Sequence, residues 1–366
     1  MSMSRKQTSP DMVILCIAIF FAMFGLIMIF SSSAIMASER FGDSLLFLKK
    51  QLIWVIIGIG VLFMCMQVQY NLWQRYAKLL IIVSLVFLSS VLIIGRSVGG
   101  AQRWLTFGPF NFQPSEFAKL VMVIGLADFL DRKRSKMQNF VNGYLPAMIF
   151  IGLFCGLIFL EQDLGAPVVL FLVGSTMLFL SATKIRYIFA TILGLLPVIY
   201  GFVFLVPYRK KRILSFLNPW ADSQGSGYQI IQSLIAIGSG GFSGKGLGGS
   251  EAKLMYIPEP HTDFIYSIIG EELGLFGALM ILGLYAIFFL RGIIIVKRSP
   301  DLFSSFLASG ILLLIIYQAL LNVAVVAGCI PTKGLPLPLL SFGGSSLIFT
   351  MAGIGILLNI SQHQKR

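Results

Sequence analysis

Charge is scarce in this chain. Asp, Glu, Lys and Arg make up 12% of 366 residues, where a soluble globular chain carries roughly 25%. Histidine occurs only at His261 and His363, too few for a His-based metal centre. The four cysteines, Cys16, Cys65, Cys155 and Cys329, lie within or beside apolar runs without metal-like spacing, and they read as packing residues. The alternating ten-residue segments of a membrane β-barrel are absent. So are an internal repeat and the matched pair of interrupted apolar segments that transporters often carry. No polar stretch is long enough to fold as a separate soluble domain.

Apolar side chains are abundant. They form 57% of the chain, with 32 Phe and a mean hydropathy of +0.88. They cluster in runs near the ~20 residues that a helix needs to cross ~30 Å of hydrocarbon. Backbone groups in lipid must be satisfied internally, which leaves helices as the spanning element. The runs predict an all-α polytopic membrane protein of about ten transmembrane helices, near 12–36, 52–68, 77–95, 115–130, 144–160, 165–182, 186–206, 264–290, 302–328 and 344–360. The first run is too long for a signal-peptide core and reads as a retained helix. The whole chain, 1–366, is expected to form one integral membrane domain.

The net charge of +13 does not indicate nucleic acid, because the basic residues sit in short loops and form no continuous face. They orient the chain instead. Arg5, Lys6, Arg75, Lys78, Arg132, Lys133, Arg134, Lys136, Lys184, Arg186, Arg291, Lys297 and Arg298 fall on one side, with Lys365 and Arg366. The positive-inside rule then places both termini in the cytoplasm. One large loop, about 207–263 between the seventh and eighth helices, faces outward. It opens with Tyr208-Arg-Lys-Lys-Arg212 and an apolar stretch, which suggests an interfacial amphipathic helix.

Ionisable groups at membrane depth are costly and therefore candidates for function. Glu116 and Lys119, after Gln113-Pro-Ser, share a helical face and can pair. That pair serves a site or locks two helices equally well. Glu161-Gln-Asp-Leu-Gly165 places two carboxylates at the outer surface, to bind a cation, to position a hydroxyl or merely to form a turn. Asp263 stands where the large loop re-enters the membrane, with Ser267 and Glu271 following on one helical face. A partly desolvated carboxylate there suits a general base, and an N-terminal cap is the equal alternative. Arg103, Arg209, Lys210, Lys211, Arg212, Lys245 and Lys333 are outer cations for phosphate or for lipid headgroups. Pro331 to Pro338 and Ser341 to Ser346, rich in Pro and Gly, read as a re-entrant segment covering a cavity.

Several long motifs occur here in one order: GGAQRWLTFGPFNFQPSEFAKL, YRKKRILSFLNPW, GSGYQIIQSLIAIGSGGFSGKGLGGS, PEPHTDFIYSIIGEELG and PTKGLPLPLLSFGGSS. On these the chain resembles the SEDS family of bacterial shape, elongation, division and sporulation proteins, over nearly its whole length. PTKGLPLP and the PEPHTDF context resemble the division branch more than the elongation branch. Gln162, Asn218 and Phe342 depart from the residues usual in the family.

The resemblance implies a peptidoglycan glycosyltransferase that polymerises lipid II at the outer face of the bacterial inner membrane, for septal synthesis. The family's essential aspartate falls on Asp263, its QPSE…K motif on Glu116 and Lys119, and its acidic pair on Glu271 and Glu272. The expected substrate-binding set is Arg103, Glu116, Lys119, Arg209, Lys210, Arg212, Lys245, Glu271, Glu272, Lys333, Ser341 and Ser345. No tightly bound cofactor is expected. A divalent cation, Mg or Mn, is a candidate to share the diphosphate's charge, with no metal ligands assigned. Implied partners are lipid II, undecaprenyl diphosphate, a class B penicillin-binding protein, division proteins and the membrane. The alternatives are a side-wall polymerase, a lipid II flippase, which needs polar groups through the full membrane depth, and a non-catalytic scaffold, which survives loss of the Asp263 carboxylate.

Overall fold

The structure is a computed structural model that describes residues 9–364 apart from 99–100, 109, 206, 226, 254–260 and 333. Each of the ten expected apolar segments is a helix. They are α1 (Met12–Phe41), α2 (Leu46–Gln67), α4 (Ala77–Ile94), α5 (Pro114–Lys133), α6 (Leu145–Leu160), α7 (Gly165–Leu180), α8 (Ile185–Phe204), α11 (Ile265–Lys297), α12 (Leu302–Val326) and α13 (Gly344–Gln362). The short α3 (Tyr70–Arg75) joins α2 to α4, and the large loop adds α9 (Pro207–Leu217) and α10 (Tyr228–Ser239). Among the described residues, seven helices are long and apolar enough to cross a membrane: α1, α2, α4, the helical stretch ending in α6, α11, α12 and α13. α7 and the first part of α8 are apolar but shorter.

One element departs from the all-α expectation. Residues 96–112, read from sequence as a loop, contain a three-stranded antiparallel sheet of β1 (Arg96–Val98), β2 (Ala101–Phe107) and β3 (Phe110–Phe112). Arg96 pairs with Trp104, and Leu105 with Phe112. The Gly-Gly and Gly-Pro dipeptides between short β-prone runs are hairpin signals. They are masked in a hydropathy reading because each strand is far shorter than a membrane span.

Local chemistry sets the helix ends. Asp11 caps α1 by accepting from the Val13 and Ile14 amides, and its other oxygen takes Arg291 of α11 at 2.7 Å. Its own amide donates to Ser361 of α13. One buried residue, through its carboxylate and its backbone amide, thus ties three helices together at one end of the bundle. Asp301 and Ser304 form a capping box at the start of α12, and Pro114 takes the first position of α5. α12 and α13 are mostly buried, whereas α2 and α4 present much of their surface outward. α13 lies along α2 at small residues: a Cβ at Gly355 would strike the Leu62 carbonyl, and one at Gly344 would strike the Trp54 ring. Close backbone approach of this kind lets helices associate where burial from water supplies no drive.

The part of the large loop after α10 is fastened to α11 by its backbone. Lys245 and Gly246 donate to the carbonyls of Glu271 and Glu272, each at 3.0 Å, and Leu275 donates to Gly241 at 2.9 Å. α11 breaks its helical geometry at Gly274 (φ 65°, ψ −163°) to allow this. Gly244 sits at φ +78°, and any Cβ there would strike the Glu272 carbonyl. Gly244→Ala is therefore expected to destabilise the protein by about 1–3 kcal/mol. Thermal unfolding in detergent checks this, with hydrogen exchange rising across 240–250. An unchanged melting temperature would show that this contact is dispensable.

Candidate functional site

At the end of the bundle where α1, α6 and α12 finish and α2, α7, α11 and α13 begin, the chain encloses a cavity of about 720 Å³. Segments remote from one another in sequence build its polar lining. Arg103 and Trp104 come from β2, Gln113 and Glu116 from the start of α5, and Asp163 from the turn before α7. Thr262 and Asp263 come from the end of the large loop, facing Thr332 and Gly334 to Pro336 of the Pro-rich segment. Arg40 and Arg212 complete the cationic part. A second, more apolar cavity of about 630 Å³ adjoins it, lined by Met36, Phe41, Phe47, Ile53, Trp54 and Lys50 among others. Arg40, Trp104, Thr262, Phe342 and Gly343 belong to both linings.

Glu116 and Lys119 do pair, at 2.9 Å, with both side chains almost fully buried. Lys119 also donates to Gln318 Oε1 of α12 at 2.9 Å. A lone ammonium or carboxylate at this depth would be strongly unfavourable, and the pairing is what makes either tolerable. Glu116 still reaches the cavity lining.

The family model described as cell cycle protein, FtsW/RodA/SpoVE, matches residues 11–366. The chain belongs to this family. A probable peptidoglycan glycosyltransferase FtsW of Geobacter sulfurreducens is 43% identical over 97% of this chain and 96% of its own length. Stage V sporulation protein E of Bacillus subtilis is 42% identical over 99% of this chain and its own full length. Among solved structures, a chain of a peptidoglycan synthase complex that coordinates polymerization and crosslinking superposes with a TM-score of 0.82 at 30% identity, covering 97% of this chain and 98% of that one. RodA of Thermus thermophilus gives 0.73 at 25% identity, covering 98% of each chain. The expected likeness to FtsW is borne out, and the protein is an integral membrane member of the family.

Of the site residues expected from sequence, the cavity brings together Arg103, Glu116, Arg212 and Asp263. Lys119 stands behind Glu116. Lys210 is exposed on α9 and outside the lining. Lys333 and the side chain of Arg209 lie outside the described residues. Glu271 and Glu272 are almost wholly buried and turned toward the large loop. Glu271 accepts from Ser250, from Lys245 at 2.9 Å and from the amides of Glu251 and Ala252. Glu272 takes Lys253 at 3.2 Å and Ser31 of α1 at 2.6 Å. These acids and Lys245 anchor the loop and are not among the cavity lining. The Glu271 carboxylate raises the pKa of the Lys245 ammonium above its ordinary value.

Ser341 and Ser345 are bridges. Ser341 donates to the Thr262 carbonyl at 2.6 Å and accepts the Leu337 amide, which binds the re-entrant segment to the stretch carrying Asp263. Ser345 accepts the Gln113 amide at 3.1 Å. Their neighbour Ser346 lines the cavity instead. Sequence reasoning passed over Arg40, and no local signal distinguishes it from other loop cations. It also passed over Gln318 and Asn322, although polar side chains four apart in an apolar helix are a usable signal.

Arg103 donates to the carbonyls of Glu161 and Gln162, at 3.3 and 2.6 Å. It braces a turn in which Gln162 adopts φ 61° and the next residue, Asp163, lines the cavity. Asp163 caps α7 through the Gly165 and Ala166 amides. Glu161 is buried with neither carboxyl oxygen hydrogen-bonded. Burial, then repulsion from Asp163, pushes its pKa up to about 8, against a smaller opposing pull from Arg103. A carboxyl raised in this way holds its proton in the folded state when the unfolded chain has lost it. The folded protein therefore loses stability as pH rises from the ordinary carboxylate range toward 8. Glu161→Gln is expected to remove that loss. Melting temperatures at pH 6 and pH 9 check it: the gap between the two should narrow in the variant, and an unchanged gap would count against a protonated Glu161.

Proposed function

We propose that the protein is a peptidoglycan glycosyltransferase that polymerises lipid II into glycan strands for septal wall synthesis. The observation that carries this reading is Asp263 in a cavity shared with arginines, adjoining an apolar cavity. The first suits a sugar and diphosphate, and the second suits a polyprenyl chain. The names and functions of the family relatives support the same reading.

The proposed topology has ten spans, adding α5, α7 and α8 to the seven long apolar helices. Both termini are cytoplasmic, and the cavity opens at the outer face. Substrate then arrives laterally from the membrane, and no nucleotide-sugar domain is required because the donor is already activated.

In the proposed reaction the Asp263 carboxylate accepts the proton of the acceptor's 4-hydroxyl. The freed oxygen attacks the anomeric carbon of the donor chain from the face opposite its diphosphate. The new glycosidic bond forms as the bond to the diphosphate breaks, with inversion, and undecaprenyl diphosphate leaves. Arg103, Arg212 and Arg40 stabilise the charge that develops on it. Among the described residues no three His, Cys, Asp or Glu side chains converge as a metal cage. A divalent cation, if the reaction uses one, would be held chiefly by the substrate's own diphosphate and would share its charge. A class B penicillin-binding protein is the proposed partner, which cross-links the strands as they emerge.

Purified protein with that partner, its transpeptidase site inactivated, is given labelled lipid II. Asp263→Asn at equal folded amounts is expected to lower glycan synthesis by about 100-fold or more. Equal product from both would remove Asp263 as the base. Absence of product from wild type, with lipid II still crossing proteoliposomes, would favour a flippase.

A further inference from the structure

Asp263 and the Pro-rich segment meet across the cavity without a shared secondary-structure element. Residues 331–337, as far as described, form neither helix nor strand, so their carbonyls lack ladder partners. Two amides on one face of α12 supply them. Gln318 Nε2 donates to the Pro336 carbonyl at 3.0 Å. One turn on, Asn322 Nδ2 donates to the Leu335 carbonyl at 2.6 Å and to the Asp263 carbonyl at 2.8 Å. Both side chains are nearly fully buried.

The chemistry of the partners fixes each amide's orientation. An ammonium only donates, so Gln318 must present Oε1 to Lys119 and its NH₂ to Pro336. Both partners of Asn322 only accept, so its NH₂ faces them. Its Oδ1 is left buried without a hydrogen bond. That orphan acceptor carries a real cost, and two carbonyl bonds are what retain it. A chain of polar contacts therefore runs from Glu116 through Lys119 and Gln318 to the Pro-rich segment, and Asn322 adds the backbone of Asp263.

We propose that Asn322, supported by Gln318, is a positioning residue for the glycosyl transfer, holding the Asp263 backbone and the Leu335–Pro336 segment at fixed separation across the cavity. This rests on the reading of Asp263 as the base. Neither amide touches substrate in this arrangement. Their effect passes through where the Asp263 carboxylate stands when the acceptor hydroxyl arrives.

The test uses full-length protein with its transpeptidase partner and labelled lipid II. It compares wild type with Asn322→Ala, Asn322→Asp, Asn322→Ser and Gln318→Glu. Asn322→Asp keeps the shape but sets a carboxylate against two carbonyls. Gln318→Glu keeps the Lys119 contact and loses the donor to Pro336. Asn322→Ala and Asn322→Asp are expected to lower kcat by about 100-fold while KM for lipid II stays within about threefold. Asn322→Ser, which retains one donor, should recover kcat by about tenfold over Asn322→Ala.

A kcat within about twofold of wild type in the Ala and Asp variants overturns the proposal. So does a loss of rate that tracks the melting temperature with KM rising in step, which is the mark of a merely structural residue. Should the Asn322 variants not fold, Gln318→Glu is judged by the same thresholds. Asp263→Asn runs in parallel. If it still makes glycan, the base assignment fails by itself, whatever the amide variants do.

Discussion

A carbonyl inside an apolar bundle has no water to bond, and this protein tucks an irregular segment into one end of such a bundle. Everything at the site depends on meeting that constraint. The Pro-rich stretch cannot form a helix, so backbone groups along it are met one at a time by Gln318, Asn322, Ser341 and Tyr285. The reward is a cavity wall that a regular helix cannot make. It carries Gly334 and Leu335 directly opposite the stretch holding Asp263.

Buried charge follows the same logic. Glu116 and Lys119 neutralise each other, and Glu271 and Glu272 are met by Lys245, Lys253, serines and backbone amides. Each cluster also joins parts of the chain remote in sequence. Glu272 links α1, the large loop and α11, just after the residues that deliver Asp263 to the cavity. The acids that look most catalytic by number are thus mainly devices for holding the loop. The carboxylates left along the cavity are Glu116, Asp163 and Asp263. Glu161 is buried with no hydrogen bond to its carboxyl, and that burial pushes its pKa up to about 8.

Much of the architecture was legible beforehand. Apolar runs located each of the ten helices, with some ends displaced by one to two turns, because a helix in lipid must satisfy its backbone within its own segment and so writes its approximate length locally. The basic cluster at Tyr208 to Arg212 correctly announced α9, and the spacing of Glu116 and Lys119 announced their ion pair. The β-sheet went unread because strands this short leave no hydropathy signature.

The chain's residues, taken alone, determined its helical membrane architecture and its family, and singled out the Asp263 and Pro-rich motifs as candidates for the site. They did so because length, periodicity and motif order are written along the chain. Only the tertiary structure decided which polar groups meet. Asn322 and Asp263 are 59 residues apart, and Lys119 and Gln318 are 199 apart. Their contacts follow from how α5, α11 and α12 pack. A buried donor takes whichever acceptor that packing brings within about 3 Å, and no local pattern states which one it will be.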